Sequence, residues 1–174
     1  MTEILLTVDR LNELLQQDAC VLVDCRFDLS QPQNSLPEYL AGHIPGAAFA
    51  HLDQHLSSKI AAHSGRHPMP DPDAFAVFLE NIGWQTEKLL VAYDAGSNAF
   101  SSRLWWLMRY FGLPAALLDG GLEAWKQAGL PLQPGHVVGK PGIRPELKAN
   151  ATLTASAADI LSRGPNLTLI DARA

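Results

Sequence analysis

Apolar residues up to position 128 follow two patterns, helical spacing and short continuous runs, which alternate along the chain. Behind Thr7, a residue type that caps helices, apolar side chains recur at helical spacing, and a continuous run at residues 20–23 follows. The same patterns predict the remaining elements: helices over residues 71–82, 100–111 and 121–128, and strands over residues 89–93 and 115–118. Short strands without polar alternation, separated by helices, predict an α/β fold: a parallel sheet of about five strands with helices on both faces.

Three segments lack both patterns. Residues 26–40 are polar and contain proline, which predicts a loop, and residues 42–47 predict a tight turn into another short apolar stretch. Residues 129–150 are rich in glycine and proline and poor in apolar side chains, which is typical of a linker. We therefore expect one domain over residues 1–132 and a linker over residues 133–150.

The residues after this linker repeat the start of the chain at an offset of 147 positions. The repeated residues are Leu6, Thr7, Leu14, Leu22, Asp24 and Arg26, matched by Leu153, Thr154, Leu161, Leu169, Asp171 and Arg173. They fall on the cap, the helix face, the strand and the residues that close it, which indicates a duplication. Because one helix and one strand cannot bury a core, residues 151–174 are predicted to be the truncated start of a second, similar domain.

Charge and composition exclude several classes of partner. Thirteen Lys and Arg against eighteen Asp and Glu give a formal charge of −5, with no basic stripe, so nucleic acid is not an expected partner. No apolar stretch approaches the roughly 20 residues that span a bilayer, and the start has no secretory pattern, so we expect a cytoplasmic protein without a membrane partner. Cys20 and Cys25 point to opposite faces of one strand, which argues against a disulfide between them.

Asp94 directly follows the best buried strand and precedes a helix, the position at which open α/β sheets bind ligands. A nucleophile at this position would have its anionic form favoured by the helix dipole. Two roles fit the residue. Asp94 occupies a nucleophile's place without a nucleophile's chemistry, or it only caps the helix that follows. In both cases the loop has no thiol.

Two thiols elsewhere in the chain, Cys20 and Cys25, are candidate nucleophiles. Cys20 and Arg26 form a C-x5-R string, as in cysteine phosphatases, but an apolar strand commits its backbone amides to sheet bonds, so we interpret the match as accidental. Cys25 at the strand's end is a better candidate thiol, although a buried structural cysteine is the commoner outcome.

Histidine pairs and an aromatic stretch give weaker signals. His51 and His55, and likewise His63 and His67, have the i, i+4 spacing of a shared metal site, but we favour surface histidines and expect neither a metal nor a cofactor. Residues 103–109 predict helix packing rather than a platform for bases, and their arginines, Arg103 first, could pair with carboxylates near the Asp94 loop.

Four motifs together resemble the rhodanese-like sulfurtransferases, and the resemblance covers nearly all of residues 5–132. The motifs are GHIPGA at 42–47, VAYD at 91–94, SRLWW at 102–106 and DGGLEAW at 119–125. More closely, the chain looks like the first domain of a tandem thiosulfate or 3-mercaptopyruvate sulfurtransferase, in which the second domain holds the cysteine. The resemblance implies a rhodanese-like three-layer domain that is catalytically silent.

The family reaction implied by this resemblance is sulfur transfer through a cysteine persulfide. The thiolate takes sulfur from a small donor anion and passes it to cyanide or a thiol acceptor. Family active loops open with the cysteine, and the matching position here is Asp94, so the chain supplies no catalytic residue. Arg173 matches the family arginine that lies near the anionic substrate between the domains, and is implied to bind it.

The remaining family matches are implied to be structural or to face the other domain. Arg26 matches the same arginine segment in the first domain and is expected to pair with Asp24 or a neighbour. His43 belongs to the GHIPGA turn, where it holds the fold or lies near the interdomain site. Arg103 lies in the SRLWW motif.

We therefore expect the non-catalytic first half of a sulfurtransferase whose cysteine domain follows residue 174. The alternative from another class is a stand-alone rhodanese module that binds a partner protein, and phosphatase-like or metal chemistry ranks below both. The chain alone is predicted to form no thiocyanate from thiosulfate and cyanide. Asp94→Cys is predicted to confer no activity, on the premise that residues 95–100 are not arranged around a persulfide.

Overall fold

A five-stranded parallel sheet forms the centre of the molecule. The structure is a computed structural model that describes residues 3–163 and 167–171. Its strands are β1 (Leu5–Leu6), β2 (Cys20–Asp24), β3 (Ala48–Phe49), β4 (Leu89–Tyr93) and β5 (Ala115–Leu118). The order across the sheet is β1-β5-β4-β2-β3, and every pair is parallel. The carboxyl ends of all strands therefore meet at one edge of the sheet.

Six helices accompany this sheet in the described part of the chain. They are α1 (Val8–Gln16), α2 (Ser35–Ala41), α3 (Pro72–Asn81), α4 (Ser101–Tyr110), α5 (Gly121–Gln127) and α6 (Ala157–Ser162). As predicted, the side chain of Thr7 caps α1, accepting a hydrogen bond from Arg10 N at 3.2 Å. The side chain of Asp71 caps α3 in the same way, from Ala74 N at 3.0 Å.

Alternate strand residues bury against different helices, which produces three layers. Val23 and Ala92 belong to a core cluster with side chains of α3 and α4, and Leu22 and Val91 belong to a second cluster with side chains of α1 and α5. Both sheet faces are thus covered by helices, which confirms the predicted α/β three-layer fold.

Two elements differ from the sequence predictions. Residues 35–41, predicted to be loop, form α2 with Pro37 in its first turn, where proline is tolerated, and with Tyr39 fully buried. Strand β1 was not predicted because it has only two residues, which are fixed by pairing Leu5 and Leu6 with β5. Tertiary contacts, rather than local pattern, define both elements.

The segment over residues 133–150 is bound to the domain instead of being a free linker. Gln133 bridges to His43, and Gly142 N donates to Glu80 O at 2.7 Å. A Cβ added at Gly142 would lie 2.0 Å from Trp84 O, so only glycine permits this close approach. Leu147 packs against the core and Asn150 N bonds Tyr110 O.

The described residues between 151 and 171 differ from the start of the chain in their helix cap and in lacking a strand. Helix α6 has Ser156 as its cap, in a capping box with Asp159, and not Thr154. The strand expected around Leu169 is absent from the described residues 167–171, where Leu169 and Ile170 are exposed. A single strand without a sheet edge to pair with is not stable, which explains its absence. Arg173 lies outside the described residues. Among those residues, no helix has the length and apolar character needed to cross a membrane.

Candidate active-site loop

Residues 94–100 connect β4 to α4 at the carboxyl edge of the sheet. The DGG segment, with Gly120 and Gly121 both at positive φ, packs against this loop at the start of α5. A Cβ added at Gly121 would lie 2.5 Å from Asp94 O, so glycine is required for the contact. Leu122 N donates to Asp94 O at 2.9 Å, which fixes the backbone where the loop begins.

The carboxylate of Asp94 is buried and accepts hydrogen bonds from four backbone amides of its own loop. Oδ1 accepts from Gly96 N at 3.0 Å and Asn98 N at 2.9 Å. Oδ2 accepts from Phe100 N at 2.9 Å and Ser101 N at 3.2 Å. We call this set of amides the Asp94 cradle. It surrounds one carboxylate with no ion-pair partner among the described residues, because backbone N–H dipoles at a loop and a helix start favour negative charge.

The cradle bears on one premise drawn from sequence. Residues 95–100 were expected not to be arranged around a persulfide, and in the structure the amides of this loop surround the carboxylate of Asp94. Asn98 adopts a positive φ of 57°, which turns the loop back on itself, and Ser101 Oγ ties it by donating to Asn98 Oδ1 at 3.0 Å. Asparagine tolerates this conformation better than most residues, and it is the one local signal that could have revealed the cradle.

A second buried carboxylate, Asp24, lies at the end of the adjacent strand. Arg26 Nε donates to Asp24 Oδ2 at 2.9 Å and Arg26 Nη2 donates to the same oxygen at 2.7 Å. Tyr93 Oη donates to Asp24 Oδ2 at 2.8 Å and accepts from Ile44 N at 3.1 Å. Burial lowers the pKa of Arg26, but the hydrogen bond and charge of Asp24 outweigh it and raise the pKa overall. Sequence reasoning missed Tyr93, because an apolar strand suggests a core side chain.

His43 is completely buried beside this network. Its ring stacks on Tyr39 with centroids 4.1 Å apart, and Nδ1 lies 2.9 Å from Tyr39 O. The second ring nitrogen, Nε2, is buried and has no hydrogen-bond partner among the described residues. Arg26 Nη2 also holds the turn, donating to Gly42 O at 2.8 Å. These contacts place His43 in the packing of the GHIPGA turn.

Arg103 bonds backbone carbonyls and not a carboxylate, contrary to the pairing considered from sequence. It donates to Leu56 O at 3.3 Å, His67 O at 3.2 Å and Pro68 O at 2.9 Å, so it anchors the loop between β3 and α3. Partial burial lowers its pKa.

Neither cysteine has the surroundings of a reactive thiol. Cys25 is 1% exposed, and burial together with the charges of Asp24 and Asp94 raises its pKa well above the ordinary value. Burial raises the pKa of Cys20 to about 11. Because the thiolate is the nucleophilic form, burial and a raised pKa disfavour attack by either thiol at neutral pH.

The histidines at 51, 55, 63 and 67 lie in the region between β3 and α3. No group of three or more potential metal ligands lies together within the described ranges. His51 and His55 lie in a turn and not in a helix. His67 Nε2 lies 3.2 Å from Asp53 Oδ1, a contact between two segments of the same loop region.

Comparisons with known proteins place this geometry in a family. The rhodanese-like domain profile matches residues 7–128. A Pseudomonas aeruginosa protein named "Probable 3-mercaptopyruvate sulfurtransferase" is 39% identical over 98% of this chain and 61% of its own length. Thiosulfate/3-mercaptopyruvate sulfurtransferase 2 of Arabidopsis thaliana is 32% identical over 73% of this chain and 37% of its own length.

Solved structures agree with these matches. The crystal structure of SseA from Escherichia coli, described with the rhodanese fold and mechanism of 3-mercaptopyruvate sulfotransferases, superposes with a TM-score of 0.80. Its identity is 31% over 92% of this chain and 61% of that chain. The chain thus spans about three fifths of the length of the Pseudomonas relative and of SseA, and 37% of the length of the Arabidopsis relative. On the profile, the sequence relatives and the fold together, the chain belongs to the rhodanese-like domain family.

Proposed function

We propose that this chain is the non-catalytic first rhodanese domain of a 3-mercaptopyruvate or thiosulfate sulfurtransferase. The observation that carries the proposal is the Asp94 cradle. Sulfur transfer by a persulfide needs a thiolate held by backbone amides, and here those amides hold a carboxylate that cannot accept sulfane sulfur. In this proposal the first domain forms part of the surface around the reaction site, and the reactive cysteine comes from a second domain.

Features of residues 151–171 support a second domain. Their apolar side chains are largely exposed: Leu161 is 83% exposed and Ile170 is 86% exposed. Large apolar side chains such as these are normally buried. The repeat at an offset of 147 residues suggests that a second domain, similar to the first, buries them. The segment over residues 133–150 is bonded to the first domain, so we expect the second domain to begin after it. A donor with a carboxylate or sulfonate-like group, and a thiol or cyanide acceptor, complete the proposed reaction.

Purified chain over residues 1–174, mixed with thiosulfate and cyanide, tests the catalytic part of the proposal. We expect no thiocyanate above the rate without protein, because both cysteines are buried. Cys25→Ser is the matched control and should give the same background. Turnover that disappears in Cys25→Ser would overturn the proposal and identify Cys25 as the nucleophile.

A fusion tests the tandem part. The chain is joined to the portion of the Pseudomonas aeruginosa relative that it does not match. We expect sulfur transfer from 3-mercaptopyruvate by the fusion and none by the chain alone. A soluble, folded fusion without activity, alongside an active Pseudomonas protein, would contradict a supporting role for this domain.

A further inference from the structure

A pocket of about 360 Å³ lies between α2, β3 and the turn that follows β3, beside a larger cavity with which it shares part of its lining. Pro32, Leu36 and Phe49 form its apolar side, and Gln33 and Gln54 contribute amide groups. The other lining residues are three histidines: His51, His55 and His136. None of these residues belongs to the Asp94 cradle or to the Asp24 network.

Backbone amides fix the tautomers of two of these histidines. His51 N donates to His55 Nδ1 at 2.9 Å, and Asp53 N donates to His51 Nδ1 at 3.2 Å. A nitrogen that accepts from an N–H carries no proton of its own, so in the neutral ring the proton is on Nε2. His51 and His55 therefore each carry an Nε2–H donor, and neither Nε2 has a hydrogen-bond partner in the part of the chain that the structure describes.

Packing holds both rings in place. His55 stacks on Phe78 with centroids 4.9 Å apart, and His51, which is 8% exposed, lies edge-on to Phe27 at 5.1 Å. Burial and the neighbouring His51 lower the pKa of His55 to about 4. Its ring is therefore neutral and its tautomer fixed at physiological pH, with no rotation available to exchange donor for acceptor.

The pocket lining contains hydrogen-bond donors and no carboxylate. The acidic residue of the same turn, Asp53, is in contact with His67 Nε2. Fixed donors beside an apolar wall suit a ligand with a hydrogen-bond acceptor at one end and carbon atoms at the other.

We propose that this pocket binds a small carboxylic acid, whose carboxylate accepts from Nε2–H of His51 and His55 and from the Gln54 amide, with its carbon body against Phe49. The site goes beyond the proposed function, because it requires no nucleophile and no second domain. Binding here would hold a carboxylate-bearing small molecule on the first domain.

Long-range ¹H–¹⁵N spectra of the histidine rings, recorded on the chain with added pyruvate, test this site. We expect the Nε2–H tautomer for His51 and His55 before addition, and progressive shifts of both Nε2 signals on titration. Sulfate, which has the charge but no carbon body, should shift them less. Nδ1–H tautomers, equal response to sulfate, or no shift up to about 50 mM pyruvate would overturn the proposal.

Variants locate the binding. His55→Phe keeps an aromatic ring against Phe78 and should weaken pyruvate binding about tenfold, and Gln54→Ala, on the exposed rim, about threefold. His63→Ala, an exposed histidine outside the pocket, is the control and should bind as the unchanged chain does. If His55→Phe does not fold, Gln54→Ala decides. Unchanged affinity in Gln54→Ala, or an equal loss in His63→Ala, would contradict the site. No sulfur transfer is measured, so failure leaves the proposed function intact.

Discussion

Asp24 and Asp94 are two buried carboxylates at the same edge of the sheet that are stabilised in different ways. Asp24 ends β2 opposite Tyr93 in the β4 register, and Asp94 follows Tyr93 directly. Asp24 is paired with the guanidinium of Arg26 and the hydroxyl of Tyr93. Asp94 has four backbone amides and, in the part of the chain that the structure describes, no cation. A side-chain cation thus stabilises the carboxylate of Asp24, and backbone dipoles of the loop stabilise that of Asp94.

This difference indicates that Asp24 has a structural role, whereas the loop around Asp94 has the geometry of an anion-binding site. The Asp24 network joins β2, β4 and the GHIPGA turn through side chains that reach specific partners. The Asp94 cradle depends on backbone shape and would favour any anionic group of suitable size at that position. The cradle is thus the part of this domain with the form of an anion-binding loop, and the chain's own carboxylate lies inside it.

Removing the cation should have the largest effect. Arg26→Ala leaves the Asp24 carboxylate buried without its guanidinium, and we expect the free energy of unfolding to fall by about 3–5 kcal/mol. Urea denaturation measures this loss. Asp24→Asn combined with Arg26→Ala should be less damaging than Arg26→Ala alone, because the uncompensated charge is gone.

Arg10→Ala is the matched control for this experiment. Its pair with Glu13 is exposed, and we expect a change below about 0.5 kcal/mol. A loss of less than about 1 kcal/mol for Arg26→Ala would show that Tyr93, the backbone amide of residue 26 and water can support the Asp24 charge without the guanidinium.

Emptying the cradle should have the next largest effect. Asp94→Ala leaves four amides without their acceptor, and we expect a loss of about 2–3 kcal/mol. The free energy of unfolding of Asp94→Asn should lie between those of Asp94→Ala and the unchanged chain, because its single side-chain oxygen still accepts two of these bonds. Urea denaturation of both variants checks the order, and Asp28→Ala, at an exposed loop carboxylate, should change nothing. Equal stability of Asp94→Ala and the unchanged chain would contradict a stabilising cradle.

The regular elements near the site could be predicted from sequence because their patterns are local. An apolar run gave β4 with its observed bounds, and helical spacing placed α4 to within one residue at each end. Helix α2 was hidden because Pro37 and polar neighbours resemble a loop, although proline in the first turn was a usable signal. The linker composition of residues 133–150 also concealed a segment held by backbone bonds, which glycine and proline content does not report.

The site itself was less predictable, for a physical reason. Its position at Asp94 follows from the strand, loop and helix order. The bond between Tyr93 and Asp24 joins residues 69 positions apart, and the four cradle bonds depend on backbone angles that residue types only bias. Asp24 with Arg26 could be paired because they are two positions apart at a strand end.

A thiol in the cradle sharpens the comparison further. In Asp94→Cys the same amides would face the sulfur, so we expect a pKa below the ordinary thiol value and alkylation by iodoacetamide at pH 7 about tenfold faster than at Cys20 or Cys25. The prediction that this variant is inert in sulfur transfer is checked separately, with thiosulfate and cyanide. The chain with Cys20→Ser and Cys25→Ser added isolates the new thiol. Alkylation as slow as at Cys25 would show that the cradle closes without its carboxylate.

The smallest expected effect is rescue of the emptied cradle by a free anion. In Asp94→Ala the missing group is a carboxylate, and formate has its charge, shape and two acceptor oxygens. If the amides keep their positions, about 100 mM formate should raise the unfolding midpoint of Asp94→Ala by 1–3 °C relative to chloride at the same ionic strength, since a ligand that binds only the folded state stabilises it. Arg26→Ala should show no such gain, because its uncompensated group is itself an anion. Equal gains in both variants would mean that formate acts on the whole protein, and the distinction between a dipole-held and a cation-held carboxylate would then fail.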